Sequence, residues 1–268
     1  MNASEPRTIL EARGLGRRFG GVVALEDYAL TLREGELLGL IGPNGAGKTT
    51  AFNLLSGVLR PSTGRIRFAG RDVTGWPTHR IARLGIARTF QNVRLFGDLS
   101  VLDNVMAGLH ARWGAGLVAT ALATPGQRRR EGEIARRAQA ALDFVGLGAL
   151  AGRRASDLAY GQQRLVEIAR AIATEPRVLL LDEPAAGMNP SETDALADLL
   201  RRLHGDLGMA LVVVEHDMRL VMGVCGRIQV LEGGRLLAEG RPEEIQRNPA
   251  VIAAYLGSRR GAEHAHAG

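Results

Sequence analysis

The segment GPNGAGKTT at positions 42–50 limits the folds open to this chain more than any other stretch. Gly42, Gly47, Lys48 and Thr49 satisfy the pattern G-x-x-x-x-G-K-[ST] in full. Leu37 to Ile41, just before it, reads as a short apolar strand, and the segment after it, with Phe52, Leu54 and Leu55, is helical in character. Strand, glycine-rich turn and helix start together make a phosphate cradle. Gly42, Gly45 and Gly47 let successive N–H groups turn inward, and the helix adds its positive dipole end. Asn44 and Thr50 belong to the same nucleotide-binding set. Lys48 would reach the β- and γ-phosphates, and the Thr49 hydroxyl would ligate Mg²⁺. Composition sharpens the point at Lys48, the one lysine among 34 basic residues, every other being arginine. A compact ammonium on a flexible stem serves there where a planar fork does not.

The chain has 268 residues, 46% of them hydrophobic and 23% charged, as in a soluble globular protein able to bury a substantial core. No apolar run approaches the roughly 18 residues that span a bilayer, and MNASEPRTIL lacks the order of a signal peptide. Cys225 is alone, which excludes an internal disulfide and suits a reducing cytoplasm. Net charge is +6, but the arginines are scattered and the densest cluster, QRRREGEIARR at 127–137, is interleaved with glutamates. With 4% aromatics there is little to stack on bases, so nucleic acid is not an expected partner.

Strands are expected over roughly 7–33, with Tyr28, Leu30 and Leu32 on one face, and again within 60–73. Pro77 opens a short helix that Gly85 can close, and IARTFQ at 86–91 is a short strand. From about 92 to 160 the chain turns helical, starting at Ser100 with Asp103 as a capping pair. RVLLLDEP at 177–184 and MALVVVEH at 209–216 are continuous apolar runs that end in polar residues, as strands buried on both faces of a parallel sheet do. Asn189 and Pro190 start a helix between them, and residues 226–240 form a hairpin turning at Gly233-Gly234. The tail 258–268 is expected to be disordered; its His264 and His266 make a poor metal site.

A carboxylate at the C-terminal edge of a parallel strand projects into the ligand crevice. Asp182 suits an outer ligand of Mg²⁺, and Glu183 can polarise the water that attacks a γ-phosphate. Gln91 and His216 end two further strands, where each is equally compatible with a plain strand-terminal hydrogen bonder.

LAYGQQRLVEIARAIATEPRVLLLDEP at 158–184 resembles the signature motif, helix and Walker B strand of ATP-binding-cassette (ABC) ATPases. The order phosphate loop, Gln91, signature, Asp182-Glu183, His216 is similar to that family over about 7–257. Residues 76–105, DEPAAGMNPSE, EHDMRLVMGVCGRI and NPAVIAAYLG narrow the resemblance to the LivG-type ATPase subunits of branched-chain amino-acid importers. The resemblance implies an α/β fold: a P-loop NTPase with a RecA-like core, an N-terminal antiparallel β subdomain and an inserted α-helical subdomain at about 92–160. One ABC ATPase domain would span 7–257. It implies ATP and Mg²⁺ as cofactors, with Phe19 stacking on adenine and Val23 beside it. Thr49, Gln91 and Asp182 would hold the metal, and Glu183, His216 and Gln91 would carry catalysis.

Such cassettes pair head to tail, so Ala159, Tyr160, Gly161 and Gln162 would face the nucleotide of a second, LivF-like ATPase subunit in a heterodimer. Two permease subunits and, indirectly, a solute-binding protein complete the implied assembly at the cytoplasmic face of the inner membrane. Arg94, Leu95 and Phe96 are candidates for the permease contact. Ala159 and Tyr160 depart from the family's LSGGQ pattern at its serine and first glycine, and Asn189 stands where an aspartate is usual. A lipopolysaccharide-extraction-like export cassette, or a soluble ABC ATPase acting on ribosomes or DNA, are the alternatives.

Overall fold

The protein is described here by a computed structural model covering residues 7–89, 94–113 and 125–255. The expected metal ligand Gln91 and the tail 258–268 lie outside the described residues. Five short apolar runs form parallel strands: β3 (Leu37–Ile41), β6 (Ile86–Arg88), β7 (Val178–Asp182), β8 (Ala210–Val214) and β9 (Arg227–Glu232). Strand β10 (Arg235–Gly240) folds back antiparallel to β9. The six make one sheet in the order β10-β9-β3-β8-β7-β6. Because side chains alternate along a strand, each run feeds two cores. Leu38, Leu40, Val178, Leu180, Val212 and Val214 face one; Leu37, Ile41, Leu179, Leu181, Leu211 and Val213 face the other.

The first core is closed by a four-stranded antiparallel sheet, ordered β2-β1-β4-β5. Its strands are β1 (Thr8–Phe19), β2 (Val22–Arg33), β4 (Thr63–Phe68) and β5 (Arg71–Asp72). The expected inward set Tyr28, Leu30 and Leu32 is fully buried there. Helix α1 (Lys48–Leu55) lies in the same core through Phe52, Leu54 and Leu55. Helix α2 (Thr78–Leu84) is capped by Pro77 and closed by Gly85 at φ 112°, a left-handed position that suits glycine.

The second core is covered by helices. Helix α3 (Val101–Trp113) begins where the Ser100 hydroxyl accepts the Asp103 N–H at 3.0 Å. It packs with α4 (Pro125–Phe144) and α5 (Tyr160–Ile172) through Val105, Leu109, Ile134, Ala138, Leu142 and Val166. Helix α6 (Pro190–Gly205) starts at Asn189, whose side chain accepts the Glu192 N–H, and α7 (Met218–Val224) starts at Asp217 in the same way. Helix α8 (Pro242–Arg247) and helical residues 249–255 finish the described chain. No helix among the described residues is long and apolar enough to cross a membrane. Since β3, β6, β7 and β8 run parallel, their C-terminal ends deliver Gly42, Thr89, Asp182 and Glu215 to one edge of the sheet.

Candidate ATP-hydrolysing site

The phosphate loop leaves β3 at Gly42 and enters α1 through Gly47. A side chain at Gly47 would bring its Cβ within 2.8 Å of the Ala24 carbonyl, and its φ of 99° is one that L-residues avoid. Helix α1 has no side-chain cap and no acidic residue in its first turn. Its leading N–H groups and positive dipole end are therefore open to an anion. Lys48 is 6% exposed, and its Nζ donates to the carbonyls of Gly42 at 2.7 Å and Pro43 at 3.0 Å. Burial pulls this ammonium below the ordinary lysine range, while Glu183 and Asp182 pull it back.

Two backbone ties brace the loop. The Gly234 N–H donates to Ala46 O at 3.1 Å, and the Glu26 N–H to Gly234 O at 2.8 Å, so the β9–β10 turn holds the loop against β2. The β1–β2 hairpin tip beside it carries Phe19, 45% exposed, with Val23 also exposed. The Arg17 guanidinium lies 4.7 Å from the Phe19 ring centroid. An exposed aromatic face next to a phosphate cradle suits a purine base.

Across the cradle, Asp182 and Glu183 end β7. Glu183 adopts φ 48°, a left-handed backbone costly for a residue with a side chain. It is fixed there by its N–H on Val214 O at 2.9 Å and by its carbonyl, which accepts the Ala186 N–H at 3.1 Å. His216 Nε2 sits 2.7 Å from Glu183 Oε1. When Glu183 accepts this bond, Nε2 is the ring nitrogen that donates it. Asp182 is buried, which pushes its carboxyl above the usual range; the hydrogen bond from Arg88 works against that shift. The Thr49 hydroxyl and the Asp182 carboxylate are hard oxygen donors of the kind Mg²⁺ takes alongside substrate phosphates. No group of three or more His, Cys, Asp or Glu among the described residues is placed to hold a metal ion.

Two residues of this site carry no motif and were not expected. Arg88 bonds Asp182 at 2.8 Å. Glu215, 3% exposed, accepts the Ala185 N–H on Oε1 at 2.6 Å and the His216 N–H on Oε2 at 3.0 Å. Burial pushes the Glu215 carboxyl up. It ties the loop after Glu183 to the segment bearing His216. The signal in the sequence was an acidic residue closing the apolar run of β8.

Ala159, Tyr160, Gly161 and Gln162 form the start of α5, with Ala159 and Tyr160 exposed. Gln162 Oε1 accepts the Ala159 N–H at 3.2 Å, and among the described residues no hydrogen bond joins these four to the chain's own phosphate loop. Arg94 and Leu95 are held to α5: the Arg94 N–H donates to buried Glu167 at 2.9 Å, and Arg170 donates to the Arg94 carbonyl at 2.8 Å. Phe96 is 58% exposed. A groove of about 460 Å³ runs beside them, lined among others by Val58, His79, Arg88, Arg94 and Glu167.

A protein-family model described as "ABC transporter" matches residues 25–186, and one described as "Branched-chain amino acid ATP-binding cassette transporter" matches residues 235–260. The chain is 48% identical over 249 residues to the high-affinity branched-chain amino acid transport ATP-binding protein LivG of Salmonella typhimurium, covering 93% of this chain and 98% of that one. It is 47% identical to the corresponding protein BraF of Pseudomonas aeruginosa, covering 94% and 98%. Identity to the lipopolysaccharide export system ATP-binding protein LptB of Acidithiobacillus ferridurans is 36%, covering 93% and 97%. The crystal structure of the ADP conformation of an ATP-binding cassette of an ABC transporter superposes with a TM-score of 0.83 at 29% identity, covering 94% of this chain and 99% of that one.

Proposed function

The chain belongs to the ABC transporter family of ATP-binding proteins, and we infer that it hydrolyses ATP to drive an importer of branched-chain amino acids or related small polar solutes. The observation that supports this best is the match along nearly the whole length of relatives named for that transport, together with a complete phosphate loop facing a Glu183–His216 pair. The export relative is more distant, at 36%.

In this reading the amides of the loop and Lys48 hold the β- and γ-phosphates, and Phe19 holds the adenine. Lys48 leaves the carbonyls of Gly42 and Pro43 for the phosphate oxygens. Thr49, Asp182 and Gln91 would hold Mg²⁺, which when bound neutralises charge on the phosphates. Glu183 takes a proton from the attacking water as its oxygen bonds the γ-phosphorus and ADP departs. The Nε2–H of His216 keeps the accepting carboxylate oriented. The strained backbone at Glu183 makes that orientation rigid in advance of substrate.

The exposed start of α5 faces a second ATPase subunit, whose nucleotide it covers. Permease subunits dock by the groove beside Arg94 and Phe96, placing the chain on the cytoplasmic face of the membrane. The test is to purify the complex from its native membrane through a tag on this chain and reconstitute it in vesicles with its solute-binding protein. Uptake of leucine, isoleucine or valine that requires ATP on the side of this chain is expected. ATP hydrolysis with no stimulation by any branched-chain or small polar solute would refute the importer reading.

A further inference from the structure

Arg88 ends β6, the strand next to β7. Its Nη2 donates to Asp182 Oδ2 at 2.8 Å; its Nη1 donates to Asn53 Oδ1 at 2.6 Å and to Ser56 Oγ at 2.9 Å. The guanidinium carbon lies 5.6 Å from the Phe52 ring centroid. The two charged side chains are 10% and 4% exposed. Phe52 and Asn53 belong to α1, the helix that begins at Lys48, and Ser56 is its C-cap.

A buried ion pair is weak evidence of a stabilising role, because desolvation offsets much of its attraction. What sets this one apart is what it joins. One planar fork ties the far end of the phosphate-binding helix to the carboxylate at the end of β7. An ammonium has the charge but not the fixed fork, so it cannot hold both partners at set angles. Asp182 Oδ2 is thereby given a fixed direction relative to the helix whose other end cradles phosphate.

We propose that Arg88 is a positioning residue that sets the Asp182 carboxylate against the phosphate-binding helix, so that metal and nucleotide are received in one geometry. This rests on the ATPase reading of the same site. It assigns Arg88 no contact with substrate.

The test uses the full chain for nucleotide binding and the purified transporter complex for turnover, with Arg88→Lys, Arg88→Gln and Asn53→Ala. ATP affinity measured without Mg²⁺ should stay within about threefold of wild type in all three, since the phosphate cradle is intact. The tightening of ATP binding produced by Mg²⁺ should fall about tenfold in both Arg88 variants, and kcat about 10- to 100-fold, as expected for misplacement by about an ångström. Arg88→Lys should not rescue. Asn53→Ala should have a smaller effect, and none when added to Arg88→Lys.

Arg88→Lys with wild-type Mg²⁺ response and kcat overturns the proposal. So does an equal loss of Mg²⁺-free affinity and thermal stability, the mark of a purely structural pair. If Arg88→Gln does not fold, the lysine and Asn53 variants decide. A wild-type complex that neither binds nor hydrolyses ATP overturns this proposal and the ATPase reading together; a wild-type complex that does both, with Arg88→Lys unaffected, overturns this one alone.

Discussion

Replacing Lys48 by arginine keeps the charge and changes the shape that carries it. The Nζ now fits between two loop carbonyls at 2.7 and 3.0 Å in a pocket where it is 6% exposed, and a guanidinium is too wide to turn from them to a γ-phosphate. Lys48→Arg is therefore expected to lower kcat by about 100-fold or more, the scale of losing one transition-state donor. Near-normal turnover in that variant would mean the solitary lysine carries no special role. Glu215 acts at one remove, through Ala185 and His216. In Glu215→Gln one oxygen becomes an N–H₂ donor that cannot accept, so at least one of its three backbone bonds, from Ala185, His216 and Asp217, is lost in a nearly isosteric side chain. The expected result is kcat down about 10- to 100-fold with ATP affinity unchanged; a parallel drop in affinity would count against it. Lys48, Asp182, Glu183 and His216 were legible in the sequence because each stands in a motif or at a strand end. Arg88 was not, since arginine is this chain's routine cation. Only the fold shows which arginine reaches a carboxylate 94 positions away.

Elements were readable wherever local chemistry sets them. Continuous apolar runs became the two-faced strands β7 and β8, and Asn189-Pro190 opened α6 with its capping bonds in place. The strand order β10-β9-β3-β8-β7-β6 was not readable, because it depends on pairing between runs far apart in the chain. The signature segment shows the same division. Its departures at Ala159 and Tyr160 are plain in the sequence, but what Tyr160 touches is not. Its ring covers Gly187, where an added Cβ would come within 2.8 Å of Cε1, and the Arg164 guanidinium sits 5.5 Å from the ring centroid. The start of α5 thus leans on the loop that follows Glu183. In the heterodimer proposed above, Ala159 would leave the partner's nucleotide without a hydroxyl donor, a hydrogen bond to charge worth about 1.5–3 kcal/mol. In such a heterodimer already carrying Lys48→Arg, the remaining turnover would come from the site that Ala159 helps to close. Adding Ala159→Ser there should raise kcat about tenfold or more. No change, or a fall, would mean that the missing hydroxyl does not limit that site.

At the scale of the whole molecule, the phosphate loop and the β9–β10 turn are tied to a sheet whose two faces feed both cores, so nucleotide binding stabilises the interior on either side of that sheet. Cys225 reports on that interior. It is 4% exposed, and a Cβ on Gly39 of β3 would lie 3.1 Å from its Sγ, so the thiol sits directly under the strand that feeds the loop. Burial pushes its pKa up to about 12. At pH 8 roughly one folded molecule in ten thousand would hold the thiolate, and that one would still be shielded from reagent. In the unfolded chain the thiol returns to its ordinary range near 8.5, where about a quarter is thiolate at pH 8. Labelling by a thiol reagent therefore proceeds through opening of the core, and its rate follows the population of the open state when closing is fast. ATP at about 100 times its dissociation constant stabilises the folded state by about 2.7 kcal/mol, so it should slow labelling of the full chain about 100-fold. Raising pH from 8 to 9 should speed labelling about tenfold: the thiolate share of the unfolded chain rises about threefold, and because the folded thiol stays protonated the open population rises by about the same factor. Labelling that ATP leaves unchanged would mean either that Cys225 opens locally or that the loop does not bind ATP. Equilibrium binding of ATP to the same chain separates the two.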